Sequence, residues 1–335
     1  MNKVLLISVL LIFAITISFA QKAIEVSTVS NPGGGYSFYA YNNSKVNYVI
    51  NLNFTEFKNF KSNVRLPFAG ELKPGNNYLF DLSPDIRLAE THFRYKYDFY
   101  IGCLNPTINL SYPYLLPIGE GKSVKIELNK FYYHLEDLRA LLDSDNHNFI
   151  KGKTYKIDSN IHYYFDSNSI LRLTFQMNYG DTIYAARKGE VISVTKNHKL
   201  ENRNDSFCAK ISNVEFYQND CSIIAYQGIH DILVEIGQVV EAREPIALAG
   251  TLVDKVKAPL IFSVRYYDES WRNKFVSGYV PYSFYFTYIN PVFITKEGKN
   301  MLLEDGHTYT SEQPEYIVTN EMTRKELKRW LRKHK

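Results

Sequence analysis

Eight histidines and three cysteines are the side chains in this 335-residue sequence best suited to hold a metal or attack a bond. Their spacing does not gather them. The histidines stand at 92, 134, 147, 162, 198, 230, 307 and 334, and no HExxH sets two imidazoles one helical turn apart for zinc. Cys103, Cys208 and Cys221 form no CxxC, which argues against structural zinc and dithiol redox chemistry. No GxSxG places a serine on a nucleophile elbow. Cys208 and Cys221 flank what reads as a hairpin, so a local disulfide with Cys103 left over is one expectation. Three unpaired thiols are the other.

The elements that must position these groups are strands. Tyr and Phe number 27 and 21, a bias toward sheet. Tyr36–Tyr41, Asn47–Phe54, Tyr78–Leu82, His92–Ile101 and Ser123–Phe131 alternate polar and apolar residues, and turn clusters such as Lys73–Asn77 separate them. This predicts an N-terminal β-sandwich over residues 21–132. Leu135, Leu138, Leu141 and Leu142 fall at helical spacing within Tyr133–Ser144, so residues 133–160 read as a connector carrying one short helix. A second strand-rich block covers 161–296. In it Gly180–Val194 and Val234–Gly250 share one build: a Gly turn, a β-branched strand, a tight turn, and another short strand. Two such halves predict a barrelled sandwich, and the chain as a whole reads as all-β. Biotinyl and lipoyl carriers use similar halves, but Lys188 lacks the flanking Met or Val residues of a modifiable lysine.

Both ends carry signals of their own. Residues 1–20 run from Lys3 through an apolar stretch, Val4–Ile17, to Ser18-Phe19-Ala20. That is the pattern of a signal peptide cleaved after Ala20, and it predicts a secreted or periplasmic protein in a disulfide-permissive compartment. At the other end, residues 297–335 read as an extension finishing in a basic helix. Glu321–Lys335 holds seven of the 39 Lys/Arg and two of the 35 Asp/Glu; the other 320 residues keep 32 basic and 33 acidic side chains. A neutral body excludes a basic nucleic-acid-binding domain. Thr323 and Glu326 have capping-box spacing, and Leu327, Trp330 and Leu331 form an apolar stripe. Met322–Lys335 therefore reads either as a docked or frayed terminal helix or as a basic amphipathic helix that touches anionic lipid, as a peripheral membrane contact, or anionic polymer.

The blocks together resemble the lysostaphin/LytM-type zinc endopeptidases of the cell envelope, the duplicated-hybrid-motif peptidases. The resemblance runs from about Pro113 to Tyr309. It rests on Tyr114–Ser123, Asp181–Val191, Ile232–Gly250, Val264 and Asn290-Pro291, in that order. It implies a barrelled sandwich behind a strand-rich domain, and in that family zinc is held by two His and one Asp, with two further His handling the water. Block by block, the first His position falls on Phe165 and the Asp on Thr174 of Leu173-Thr174-Phe175. The His of a Tyr-x-His segment falls on Tyr226, and the His-x-His pair on Pro259 and Ile261. Asp181 belongs to the family's turn, so Asp181 and Asp166 read as structural. The resemblance therefore implies a degenerate member, without cofactor or metal and catalytically inactive. Its vestigial groove, lined by Phe165, Thr174, Tyr226, Pro259 and Ile261, would bind peptide, peptidoglycan or an envelope protein. The alternative is an active zinc endopeptidase with displaced ligands, for which His162 and His230 are the nearest imidazoles.

Overall fold

Strands whose apolar residues alternate must pair so that one face is covered, and the chain meets this demand in two lobes. The computed structural model describes residues 23–85, 90–131, 170–196, 212–250, 257–270 and 285–333. The expected signal peptide, the connector helix Tyr133–Ser144, Phe165, Asp166, His162 and Cys208 lie outside those residues.

The first lobe contains β1 (Ile24–Asn31), β2 (Gly35–Asn42), β3 (Tyr48–Lys58), β4 (Phe60–Ser62), β5 (Phe68–Leu72), β6 (Gly75–Pro84) and β7 (His92–Ile101). They form two sheets, ordered β1-β2-β6-β4 and β5-β3-β7. Strand β7 shows how period-two sequence becomes a sandwich: Phe93, Tyr95, Tyr97 and Phe99 are half-buried, while His92, Arg94, Lys96 and Asp98 between them are exposed. The aromatic side packs on Phe38 and Phe80, both fully buried and stacked at 4.6 Å. Each such ring stabilises the fold by about 1.5–3 kcal/mol.

The second lobe contains β8 (Pro113–Leu115), β9 (Ser123–Phe131), β10 (Ile170–Asn178), β11 (Thr182–Tyr184), β12 (Gly189–Thr195), β13 (Ser212–Tyr217) and β14 (Ser222–His230). It continues with β15 (Val239–Val240), β16 (Pro245–Ala249), β17 (Lys257–Tyr267), β18 (Phe286–Ile289), β19 (Val292–Thr295), β20 (Gly298–Met301) and β21 (Thr308–Thr310). Two helices follow, α1 (Glu315–Asn320) and α2 (Arg324–Lys333). The large sheet runs β15-β12-β13-β14-β17-β10-β9-β21. The two half-motifs seen in the sequence interlock: β11 pairs with β16 and β12 with β15, so each half supplies the other's missing partner. Phe175, Phe262, Phe293, Tyr114 and Tyr226 fill the core behind the sheet.

Sheet membership departs from the expected boundaries at 132 and 296. Ser123–Phe131, read with the first block, pairs along β10 from Gln176↔Lys125 to Ile170↔Phe131, and Pro113–Leu115 runs parallel to β19. Downstream, β20 pairs with β19 and β21 with β9, so the start of the extension is built into the second lobe. Alternation marks a strand but not its partner; the partners here lie up to about two hundred residues apart.

The disulfide is also a correction. Cys221 pairs with Cys103, with Cα atoms 5.7 Å apart, rather than with Cys208. It joins the exit of β7 to the β13–β14 turn and so ties the lobes together. Beside it Val49 and Tyr100 of the first lobe pack on Ile223, Tyr267 and Phe286 of the second. At Gly102, φ +144°, a Cβ would meet the Cβ of Tyr267 at 2.7 Å, so the close approach of the lobes needs glycine there.

Candidate functional site

Direct cross-strand partners point to the same side of a sheet, so register decides which residues form a site. One lateral row crosses five strands. Asn213 of β13 faces Gln227 of β14, Gln227 faces Ile261 of β17, Ile261 faces Thr174 of β10, and Thr174 faces Glu127 of β9. A second row beside it runs Pro259, Gln176, Lys125. Thr174 is buried, Gln227, Ile261, Pro259 and Gln176 are half-buried, and Glu127 and Lys125 are exposed. Asn213 Oδ1 is closed off from solvent without a hydrogen-bond partner among the described residues.

Three of the residues expected in the groove thus stand together: Thr174, Pro259 and Ile261. Tyr226 does not join them. It pairs with Phe262, whose neighbours on the strand alternate with Ile261, and so it points to the opposite side of the sheet. There it is 1% exposed, edge-on to Phe216 and Phe262, and its hydroxyl accepts the Ala186 N–H at 2.8 Å. Burial raises the Tyr226 phenol well above its ordinary range, so it stays protonated. The residue of β14 that shares the face is Gln227, which block alignment passed over by one position. One residue along a strand reverses the side.

Just beyond Gln227 the strand bulges. Gly228 has φ +83° and lies so close to the Pro259 carbonyl oxygen that a Cβ has no room. Ile229 then turns into the core, and His230 closes β14 on the other side of the strand. Its ring stacks on Tyr179 at 4.6 Å and 11°, Nδ1 lies 3.0 Å from Asp231, and Nε2 is buried without a hydrogen-bond partner among the described residues.

Do these residues fit zinc? Tetrahedral zinc takes imidazole, thiolate or carboxylate. At the aligned ligand positions within the described residues stand a hydroxyl, a proline and an isoleucine, flanked by amides that bind zinc poorly. Glu127 is the one carboxylate in the first row, and among the described residues no group of three or more His, Cys, Asp or Glu could share a metal ion. The donor set does not fit zinc. It suits hydrogen bonding to an extended backbone, because Asn and Gln each offer both a donor and an acceptor.

A second polar centre lies at Arg187-Lys188. Arg187 is 3% exposed, and its guanidinium donates to Glu321 through Nε and Nη2, to Asp220 at 2.8 Å and to the Tyr114 hydroxyl. It also stacks 4.0 Å over the Tyr112 ring. Burial works against its charge, but the bonds to Glu321 and the nearby acids outweigh that and raise its pKa. Asp220 feels the same burial, and Arg187 holds its carboxyl below the usual range. Lys188 is 8% exposed and bridges Glu241 at 3.0 Å and Glu326 of α2 at 2.7 Å. An amine so engaged is not presented for carrier chemistry. Between the β15–β16 turn and the helices lies a cleft of about 430 Å³, walled by Ala242, Val318, Met322 and Trp330 with Glu241 and Arg329 at its edges. The tail is therefore docked on the fold by paired charges.

No family model and no curated protein matches the chain. Among solved structures it is similar to the catalytic domain of lysostaphin from Staphylococcus simulans, an antimicrobial peptidase, at 21% identity over 35% of this chain and 80% of that one, TM-score 0.22. It is also similar to a zinc-containing peptidase from Vibrio cholerae (13% identity, 72% and 82% covered, TM-score 0.25). A third is Csd3 of Helicobacter pylori (10% identity, 94% and 79% covered, TM-score 0.27). Of the lysostaphin structure solved in solution the chain spans 43%. Likeness at this level carries no chemistry from those proteins to this one.

Proposed function

We propose that this chain is an exported cell-envelope protein that binds an extended peptide, of the kind found in peptidoglycan stems and cross-bridges, without hydrolysing it. The observation that carries the reading is the row Asn213, Gln227, Ile261, Thr174, Glu127. It offers amides to peptide groups, an apolar centre to a side chain, and one carboxylate to an amine. It has no imidazole to hold zinc or to activate water. The apolar stretch Val4–Ile17 ahead of Ser18-Phe19-Ala20 and the disulfide support an exported protein; among the described residues no helix is long and apolar enough to cross a membrane.

The purified mature chain, from Gln21 onward, should co-sediment with peptidoglycan in the presence of EDTA. It should bind a soluble stem peptide calorimetrically and release no fragments by mass spectrometry. Gln227→Ala should weaken binding by about 5- to 30-fold, the cost of one or two hydrogen bonds at a desolvated face. Absence of binding, or binding indifferent to Gln227, would sink the proposal.

The competing reading, a zinc endopeptidase with displaced ligands, draws on His230, whose Nε2 has no hydrogen-bond partner among the described residues. Stoichiometric zinc together with peptidoglycan cleavage, both lost in His230→Ala, would establish it in place of the first.

A further inference from the structure

We propose that α2 is a membrane-contact helix that seats the second lobe on a bilayer surface bearing anionic phospholipid. At 100° per residue the ten residues of α2 divide sharply. Glu326, Leu327 and Trp330 occupy one arc, and all three are half-buried against the protein. Arg324, Lys328, Arg332, Lys325 and Arg329 follow one another around the opposite arc, and all five are exposed. None of the five has an ion-pair partner among the described residues. Leu331, 45% exposed, borders the cationic arc beside Arg324.

The only acid of the helix has been taken out of this face. Glu326 turns inward to Lys188 Nζ at 2.7 Å and accepts the Thr323 N–H at 2.6 Å, while its own N–H points to Thr323 Oγ1 at 3.3 Å. The capping box thus fixes the start of the helix, and Lys188 neutralises the charge that would otherwise interrupt the stripe. What faces outward is a continuous cationic surface on a helix held rigidly by its other side.

Five cations call for an anionic occupant, and the placement of Leu331 favours a bilayer over a dissolved polyanion. A leucine at the edge of a cationic stripe can enter the boundary between headgroups and acyl chains, where a polymer offers it nothing. The proposal is independent of the peptide-binding row, which shares no residue with α2.

The test is co-sedimentation of the purified mature chain with vesicles of phosphatidylcholine alone and of phosphatidylcholine mixed with phosphatidylglycerol, at low and high salt. Soluble polyphosphate serves as a separate ligand. Binding is expected only to the phosphatidylglycerol vesicles, weakening with salt. The double variant Lys325→Gln, Lys328→Gln should bind about 10- to 30-fold more weakly. Leu331→Ser should weaken vesicle binding while leaving any polyphosphate binding unchanged. Equal binding to both vesicle types, no vesicle binding, or polyphosphate binding without vesicle binding would each overturn the proposal. So would an undiminished double variant whose circular dichroism matches the parent.

Discussion

Arg187 keeps its charge inside the protein because two carboxylates and two tyrosines surround it. Glu321 takes Nε and Nη2, Asp220 takes Nη1, and Tyr112 lies flat beneath the plane. A buried ion pair adds little over a well-packed apolar substitute, but breaking one is costly, because the partner is left buried and unpaired. Arg187→Met leaves Asp220 and Glu321 in that position. Urea unfolding should show a loss of about 3–5 kcal/mol; a change below about 1 kcal/mol would mean that the carboxylates find water instead. The row on the large sheet shows the opposite economy of charge. Its middle positions are uncharged, so a peptide bound there as proposed would trade hydrogen bonds to water for bonds to the row at small net gain each, and several bonds would have to act together.

Among the described residues, one ion pair, Lys188–Glu326, ties α2 to the sheet beside its half-buried Leu327 and Trp330. The hydrogen bond from Lys188 holds the Glu326 carboxyl down to about 2, against an ordinary value near 4.5. A carboxyl depressed in the docked state stabilises docking fully above its ordinary value, and the contribution fades as pH falls toward the depressed one. Acrylamide quenching of Trp330 in a Trp271→Phe background should therefore be flat from neutrality to about pH 5 and rise between about 4.5 and 2. Glu326→Ala should show the raised quenching already at neutral pH. A profile that rises near pH 6 would point to a different group. The two half-motifs illustrate the same interdependence on a larger scale, since β11 and β12 are completed by β16 and β15 rather than by each other.

Across the whole molecule, the lobes are joined covalently by Cys103–Cys221 and non-covalently by Val49, Tyr100, Ile223, Tyr267 and Phe286. The bridge closes a sequence separation of 118 residues, which restricts the unfolded chain strongly. Replacing both cysteines with serine should cost about 2–5 kcal/mol in denaturant unfolding. The apolar junction should still hold the lobes together in native conditions, because the bridge acts mainly on the unfolded state. Unchanged stability would show that the denatured chain keeps the lobes in contact without the bond.

The local code of the chain was readable in one dimension. The alternation in His92–Ile101 made a strand with an aromatic side, each half-motif made two short strands around a turn, and Thr323 with Glu326 made a capped helix. These depend on neighbours within about four residues, where spacing alone sets geometry. The site did not yield to the same reading. Block order points to Thr174, Pro259 and Ile261, which share a face, but not to Gln227 and Asn213 beside them, and Tyr226 lies on the opposite side of the sheet. Register between strands tens of residues apart decides a row, and a shift of one residue turns every side chain over. The partner of Cys221 and the acids around Arg187 belong to the same class. By itself the sequence determined an all-β chain with a sided basic helix at its end. Only tertiary structure decided which side chains share a face and which charges are buried, because both follow from packing between segments that sequence distance keeps apart.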